Sequence, residues 1–271
     1  ALRPTETEGP TPTIDINAAA TLQRAATQTF APFATQTQAQ VNTQNTATQS
    51  VLQTIIALTS TNTPTITRTP AQVFAEPILK AIASRPPNFS DDFSNPSSGW
   101  ALGPLSDANK NPLGNRGYKD GEFFLESLPN QWMQTTRGDT SSYSDFVVEV
   151  DARFISGSTF SSWTIGLRDD YAITYGMEGS MTLMRNPRGP TRSLGAWGPF
   201  RSGLETNQLR VIAKGPSIAI YLNGTAVSLM RDDTYAGAGG SIGLSVASND
   251  PQKGARVHFD NFKIWDISNL P

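Results

Sequence analysis

The chain has no cysteine and only one histidine, His258. The first absence excludes a disulfide framework, a thiolate nucleophile and a thiolate metal site; the second leaves too few nitrogen ligands for an ordinary zinc centre. A helix that spans a bilayer needs about 20 apolar residues, and the best apolar run, residues 51–58, falls far short. The formal net charge of −2 over 271 residues supplies no field that would draw nucleic acid or an anionic membrane.

Two further absences are regional. No charged residue stands between Arg24 and Arg68, and all five Trp and all six Tyr follow residue 99. Aromatic material for a core is therefore confined to the later part of the chain. The expected organisation is an N-terminal assembly arm over residues 1–60, a Pro/Thr linker with a short helix over 61–88, and a β head over 89–271. The first residue is Ala1 rather than Met, which predicts a secreted, extracellular or cell-surface product after signal-peptide removal.

Residues 1–14 are rich in Pro and Thr and lack an apolar period, which predicts an extended tail. From Asn17, a candidate N-cap, larger apolar residues recur every eleven positions: Ala19, Phe30, Val41 and Leu52 in one row, Leu22, Phe33, Gln44 and Ile55 in a second. That period, about 3.67 residues per turn, keeps a seam on one side of a helix. The reading is a long Thr/Gln-rich helix over 17–59, broken at Pro32; a disordered polar linker is the alternative. Thr and Asn are poor helix formers, so such a helix must be held by packing. Copies of itself are one partner that could do so, through Phe30, Phe33, Val41, Leu52 and Ile55. This charge-free arm, a Thr-Pro hinge and a β head together are similar to the stalk-plus-head layout of surface proteins from filamentous Chloroflexota-type bacteria. That resemblance implies a self-assembling filament or stalk.

After the stiff Pro-punctuated stretch 61–70, residues 71–84 predict a short amphipathic helix with Ile78, Leu79 and Ile82 on one face, ended by Arg85-Pro-Pro. The strongest β signal is 207–225. Leu209, Val211 and Ala213 alternate with Arg210, Ile212 and Lys214; Gly215-Pro216 breaks the run; Ile218, Ile220 and Leu222 alternate before Asn223-Gly224 turns the chain again. Further strands are expected at 121–127, 131–136, 145–155, 162–167, 171–175, 180–185, 240–247 and 255–267. About ten short strands with Gly, Asn and Pro turns are what a two-sheet antiparallel sandwich needs.

The run Ile218-x-Ile-Tyr-Leu-Asn-Gly-Thr225, the opening Asp91-Asp-Phe-x-x-Pro-x-Ser-Gly-Trp100 and the closing Val257-His-Phe-Asp-Asn-Phe-Lys-Ile-Trp265 resemble secreted concanavalin A-like, laminin-G-like jelly rolls of the 3-keto-disaccharide-hydrolase-like group. The resemblance covers about 89–267. It implies a mainly β, antiparallel two-sheet jelly roll whose last strand returns beside the first. It also implies a possible structural calcium near that juncture, with Asp92 and Asp260 as preferred ligands and Asp91 beside them; no other cofactor is expected.

Family 16 glycoside hydrolases share this fold and carry E-x-D-x-x-E on one strand, placing two carboxylates for a retaining mechanism. Here Glu149-Val-Asp151-Ala-Arg-Phe154 puts Phe at the second Glu. The expectation is therefore a protein that is not an enzyme. Glycan binding needs an aromatic face with polar neighbours, and Trp197, Tyr175 and Arg188 are the selected residues, with Trp163 assigned to the core. The first functional expectation is an extracellular structural protein that polymerises through its arm. The alternative is a tethered carbohydrate-binding module whose partner is a polysaccharide.

Overall fold

The computed structural model describes residues 67–140, 142–185, 192–196, 199–235 and 237–270, with backbone alone for 192–196. They belong to one compact unit, residues 67–271. The expected tail and long helix lie outside the described residues.

The unit opens with a helix, α1 (Pro70–Ile82). Thr69 caps it reciprocally: its hydroxyl accepts from the Gln72 backbone N–H, and the Gln72 side chain accepts from the Thr69 N–H. Ala71, Ala75, Ile78 and Ile82 form its buried stripe, the spacing of one helix face. Strands follow: β1 (Phe89–Asp91), β2 (Gly103–Ser106), β3 (Pro112–Lys119), β4 (Glu122–Ser127), β5 (Trp132–Thr136), β6 (Phe146–Ser156), β7 (Ser161–Leu167), β8 (Tyr171–Gly176), β9 (Ser180–Arg185), β10 (Arg192–Ala196), β11 (Asn207–Lys214), β12 (Ser217–Leu222), β13 (Thr225–Arg231), β14 (Gly243–Ser248) and β15 (Ala255–Asp266).

They make two antiparallel sheets. The nine-stranded sheet runs β13-β12-β11-β6-β15-β4-β3-β2 with β1 also paired to β15, and the six-stranded sheet runs β10-β9-β8-β7-β14-β5. The hairpin expected at 207–225 is present as β11 and β12, and Asn223-Gly224, both at positive φ, turn the chain into β13. The last strand lies beside the first, with Phe89 opposite Ile264.

The inner faces enclose a core that includes Phe123, Leu125, Val148, Val150, Phe154, Trp163, Ile165, Ile173, Val211, Ile220, Leu244 and Phe259. On the outer face of the nine-stranded sheet a second apolar cluster forms. There the stripe of α1 covers Val147, Ile212, Ala219, Tyr221 and Ile267, and the Tyr221 hydroxyl donates to the Ala71 carbonyl at 3.2 Å. The short helix expected within a linker is thus a piece of the β unit, because the sheet has an apolar outer patch that something must cover.

The opening motif has a structural account. The Asp91 carboxylate, buried, accepts from the Phe93 N–H at 2.9 Å, the Ser98 hydroxyl at 2.6 Å and the Trp100 indole N–H at 2.9 Å. Phe93 and Trp100 pack with Phe123 and Phe262. The Asp, Phe, Ser and Trp of the motif form one buried knot where β1 meets β15.

Candidate functional site

Along a strand, successive side chains point to opposite faces. In β7, Trp163, Ile165 and Leu167 face the core, which sends Ser162, Thr164 and Gly166 outward; β5 buries Met133 and Thr135 and exposes Trp132, Gln134 and Thr136. Pairing register then aligns the outward residues of the six-stranded sheet across strands. One row reads Gln134, Ser245, Thr164, Thr174, Thr182; the next reads Thr136, Gly243, Gly166, Ala172, Met184; the third reads Trp132, Ala247, Ser162, Gly176. A line of amide and hydroxyl groups therefore crosses five strands, spaced at about 4.8 Å. Beside it runs a line whose middle three residues, Gly243, Gly166 and Ala172, are very small.

These rows floor a groove of about 500 Å³. A second depression of about 290 Å³ shares Ser162 and Thr174 with it and extends it toward Phe160, Thr182 and Asn249. The Thr164 and Thr174 hydroxyls are 2.7 Å apart and bonded to each other, which fixes the middle of the polar row. Trp132 is 51% exposed and Phe160 64%. Asp169 lines the first depression and Glu178 the second; the floor between them is uncharged.

An ion-pair cluster lies at a separate depression lined by Tyr171, Leu183, Arg185 and Asp232. The Tyr171 hydroxyl donates to Asp232 at 2.6 Å, and Arg185 bridges Asp170 at 3.0 Å and Asp232 at 2.9 Å. Hydrogen bonds from Thr234 and Tyr171 hold the Asp232 carboxyl down at about 2. Burial, with Asp232 beside it, pushes the Tyr171 hydroxyl well up.

Of the residues expected to bind glycan, Tyr175 falls elsewhere. Tyr175 is fully buried and stacks on Trp163 at 4.6 Å, so its face is closed to any ligand. It belongs to the core because Tyr171, Ile173 and Tyr175 share the inward side of β8. Trp197 and Arg188 lie outside the described residues, as do the expected assembly residues Phe30, Phe33, Val41, Leu52 and Ile55. Trp132 was missed, although a signal for it existed: Met133 is the natural core residue of Gln131-Trp-Met-Gln-Thr-Thr136, and alternation then sends Trp132 outward.

The expected calcium ligands are also not assembled as a site. Asp91 is occupied by its three protein donors, while Asp92 is exposed and accepts from the Ser94 N–H and hydroxyl. Asp260 is half-buried opposite Asp151, and burial raises its carboxyl above the ordinary range, with Glu122, Asp151 and Asp92 adding to the rise. Among the described residues no group of three or more His, Cys, Asp or Glu is placed to hold a metal.

Glu149 and Asp151 lie on the nine-stranded sheet, away from the groove. Glu149 pairs with Arg210 at 2.5 Å, Asp151 accepts from the Asn261 side chain at 3.0 Å, and Phe154 is buried. His258, 4% exposed, bonds Glu122 through Nδ1 at 2.7 Å and accepts from Arg256 at Nε2. Burial lowers its pKa, outweighing the opposite pull of Glu122.

No family model and no curated protein matches the chain. Among solved structures it is similar to one named "Sialidase", at 12% identity and a TM-score of 0.51, over 67% of this chain and 18% of that one. It is also similar to a β-1,3-glucanase from Mycobacterium marinum (13% identity, 67% and 100% of the two chains, TM-score 0.46) and to the carbohydrate-binding module CBM66 from Bacillus subtilis (18%, 62% and 95%, TM-score 0.38). The chain spans less than a fifth of the sialidase chain. These identities speak to fold alone, and the likeness to the sialidase is consistent with a concanavalin A-like sandwich. The likeness to the sialidase also corrects one expectation: a protein that is not an enzyme was expected because one strand motif is incomplete, yet a protein named a sialidase shares this fold, so the missing Glu is no ground for calling the chain a non-enzyme. The comparisons give self-assembly no support, and among the described residues no helix is long and apolar enough to cross a membrane.

Proposed function

We propose that the six-stranded sheet binds a carbohydrate chain in its outer groove, in place of the filament role expected first. The observation that carries this reading is an exposed indole, Trp132, at the edge of a floor whose middle row is amide and hydroxyl. A pyranose has an apolar C–H face and a rim of hydroxyls. An exposed aromatic ring accepts the first by desolvation and stacking. The second exchanges hydrogen bonds with water for bonds to Gln134, Ser245, Thr164 and Thr174, a small number of placed polar groups of the kind that set orientation in ligand sites. A floor without charge suits a neutral sugar, since burying an unpaired charge against it would cost several kcal/mol. The fold shared with a sialidase agrees with a saccharide ligand, and an extracellular polysaccharide is the partner this reading expects.

The test is retention of wild type and Trp132→Ala on an array of neutral and anionic polysaccharides. Wild type is expected to bind a neutral class that Trp132→Ala loses, with unchanged melting temperature. Equal retention of the two proteins, or none by wild type, would defeat the reading.

A further inference from the structure

The small-residue row of the groove contains two central glycines in regular strand, Gly243 and Gly166, and they differ in kind. A Cβ on Gly243 would stand 2.6 Å from Thr136 Cγ2 and 3.0 Å from the Thr135 carbonyl oxygen. The fold demands glycine there. Gly176, in the third row, is likewise blocked by Ser180 and Glu178. At Gly166 nothing blocks the position: the nearest atom to a Cβ is the Gly243 carbonyl oxygen at 3.9 Å, and the backbone is not left-handed. Glycine in a strand interior weakens a sheet, and it commonly marks close approach of another group to the backbone. Neither the space nor the backbone explains this one. What it leaves bare is the groove floor itself, between the Thr164 hydroxyl on its own strand and Ala172 and Gly243 on the neighbours.

We infer that Gly166 is the specificity-determining position of the groove: a ring of the ligand lies flat on its exposed backbone, within reach of the Thr164 and Thr174 hydroxyls. The site therefore selects an unbranched saccharide segment over one that carries a substituent on the buried side. This inference rests on the carbohydrate reading and adds to it. Trp132 provides stacking at the edge for any sugar, whereas Gly166 limits which sugar can settle.

The experiment compares wild type, Gly166→Ala, Gly166→Val and Trp132→Ala by titration with linear and branched neutral oligosaccharides, alongside thermal melts. Gly166→Val is expected to weaken binding of the linear ligand at least tenfold and Gly166→Ala by less. Both should melt at or above the wild-type temperature, because an open strand position gains by a side chain. Wild type should favour linear over branched ligand, with that preference reduced in the variants. If Trp132→Ala loses binding while Gly166→Val keeps wild-type affinity, the groove reading stands and the role of Gly166 falls. If Gly166→Ala lowers the melting temperature, the glycine is structural and the inference is wrong. If wild type binds no saccharide, both readings fall together.

Discussion

At the residue scale, the most exacting position is Asp91. One carboxylate satisfies a backbone N–H, a hydroxyl and an indole N–H in a buried knot, so Asp91→Ala removes the acceptor of the Phe93 N–H and the Trp100 indole N–H, while the Ser98 hydroxyl keeps that of Tyr118. A cost of about 2–4 kcal/mol is expected, read as a lowered urea midpoint, and a midpoint within error of wild type would refute the account of the opening motif. His258 makes a pH prediction. Burial depresses its pKa below 6.5, so at mildly acidic pH the unfolded chain takes up a proton that the native chain resists. Stability therefore falls as pH drops through the unfolded value. His258→Gln should flatten that fall between about pH 7 and pH 5, as measured by denaturant midpoints at several pH values. Asp232 acts lower on the scale. Its pKa of about 2 lies under the ordinary 3.8, so its contribution is present above the ordinary value and disappears as pH falls toward 2. Asp232→Asn should remove that acid-side slope and leave the neutral-pH slope alone.

At the element scale, strands were legible where alternation was strong and the strand sat inside a sheet. The stretch expected at 180–185 matches β9 residue for residue, and that at 145–155 differs from β6 by one residue at each end. β2 and β3, absent from the expected strands, lie toward a sheet edge or have loop-like composition. β3 carries Pro112, Gly114, Asn115 and Gly117, and β2 joins the sheet only through β3. Their extended form comes from a neighbour's backbone, which no local propensity records. The groove was illegible for a related reason. Its rows join positions from Trp132 to Ala247, and alternation says which face a residue takes without saying which strands are adjacent. Tyr175 was misread despite a local signal, since Ile173 on the same face marks that side as core. The α1 helix shows the cost of reading elements singly. Its stripe covers Val147, Ile212 and Ala219, so Ile78→Ala should destabilise the β unit by about 2–4 kcal/mol. A variant whose melting temperature matches wild type would show that the helix merely rests on the sheet.

At the scale of the whole molecule, the two outer sheet faces have different fates. That of the nine-stranded sheet is covered at one end by α1 and is otherwise laced by the pairs Arg210–Glu149, Arg153–Glu122 and Arg256–Glu126. The face of the six-stranded sheet holds the groove, and every residue lining it lies between Trp132 and Asn249. The helix, both sheets and the groove all fall within residues 67–271. A chain beginning at Thr67 therefore retains every described residue that lines the groove and the helix that covers the apolar patch. Its dissociation constant for a short soluble oligosaccharide should equal that of the full chain, measured by calorimetry with the ligand that the array identifies. A short ligand engages one groove at a time, so this comparison reports the site alone. Weaker binding by the shortened chain would overturn that expectation. The same two proteins on a dense polysaccharide surface ask a separate question. If the first 66 residues gather several heads, the full chain will hold the surface roughly 10²–10⁴ times more tightly at an unchanged single-site constant; a ratio near one would leave each head to bind by itself.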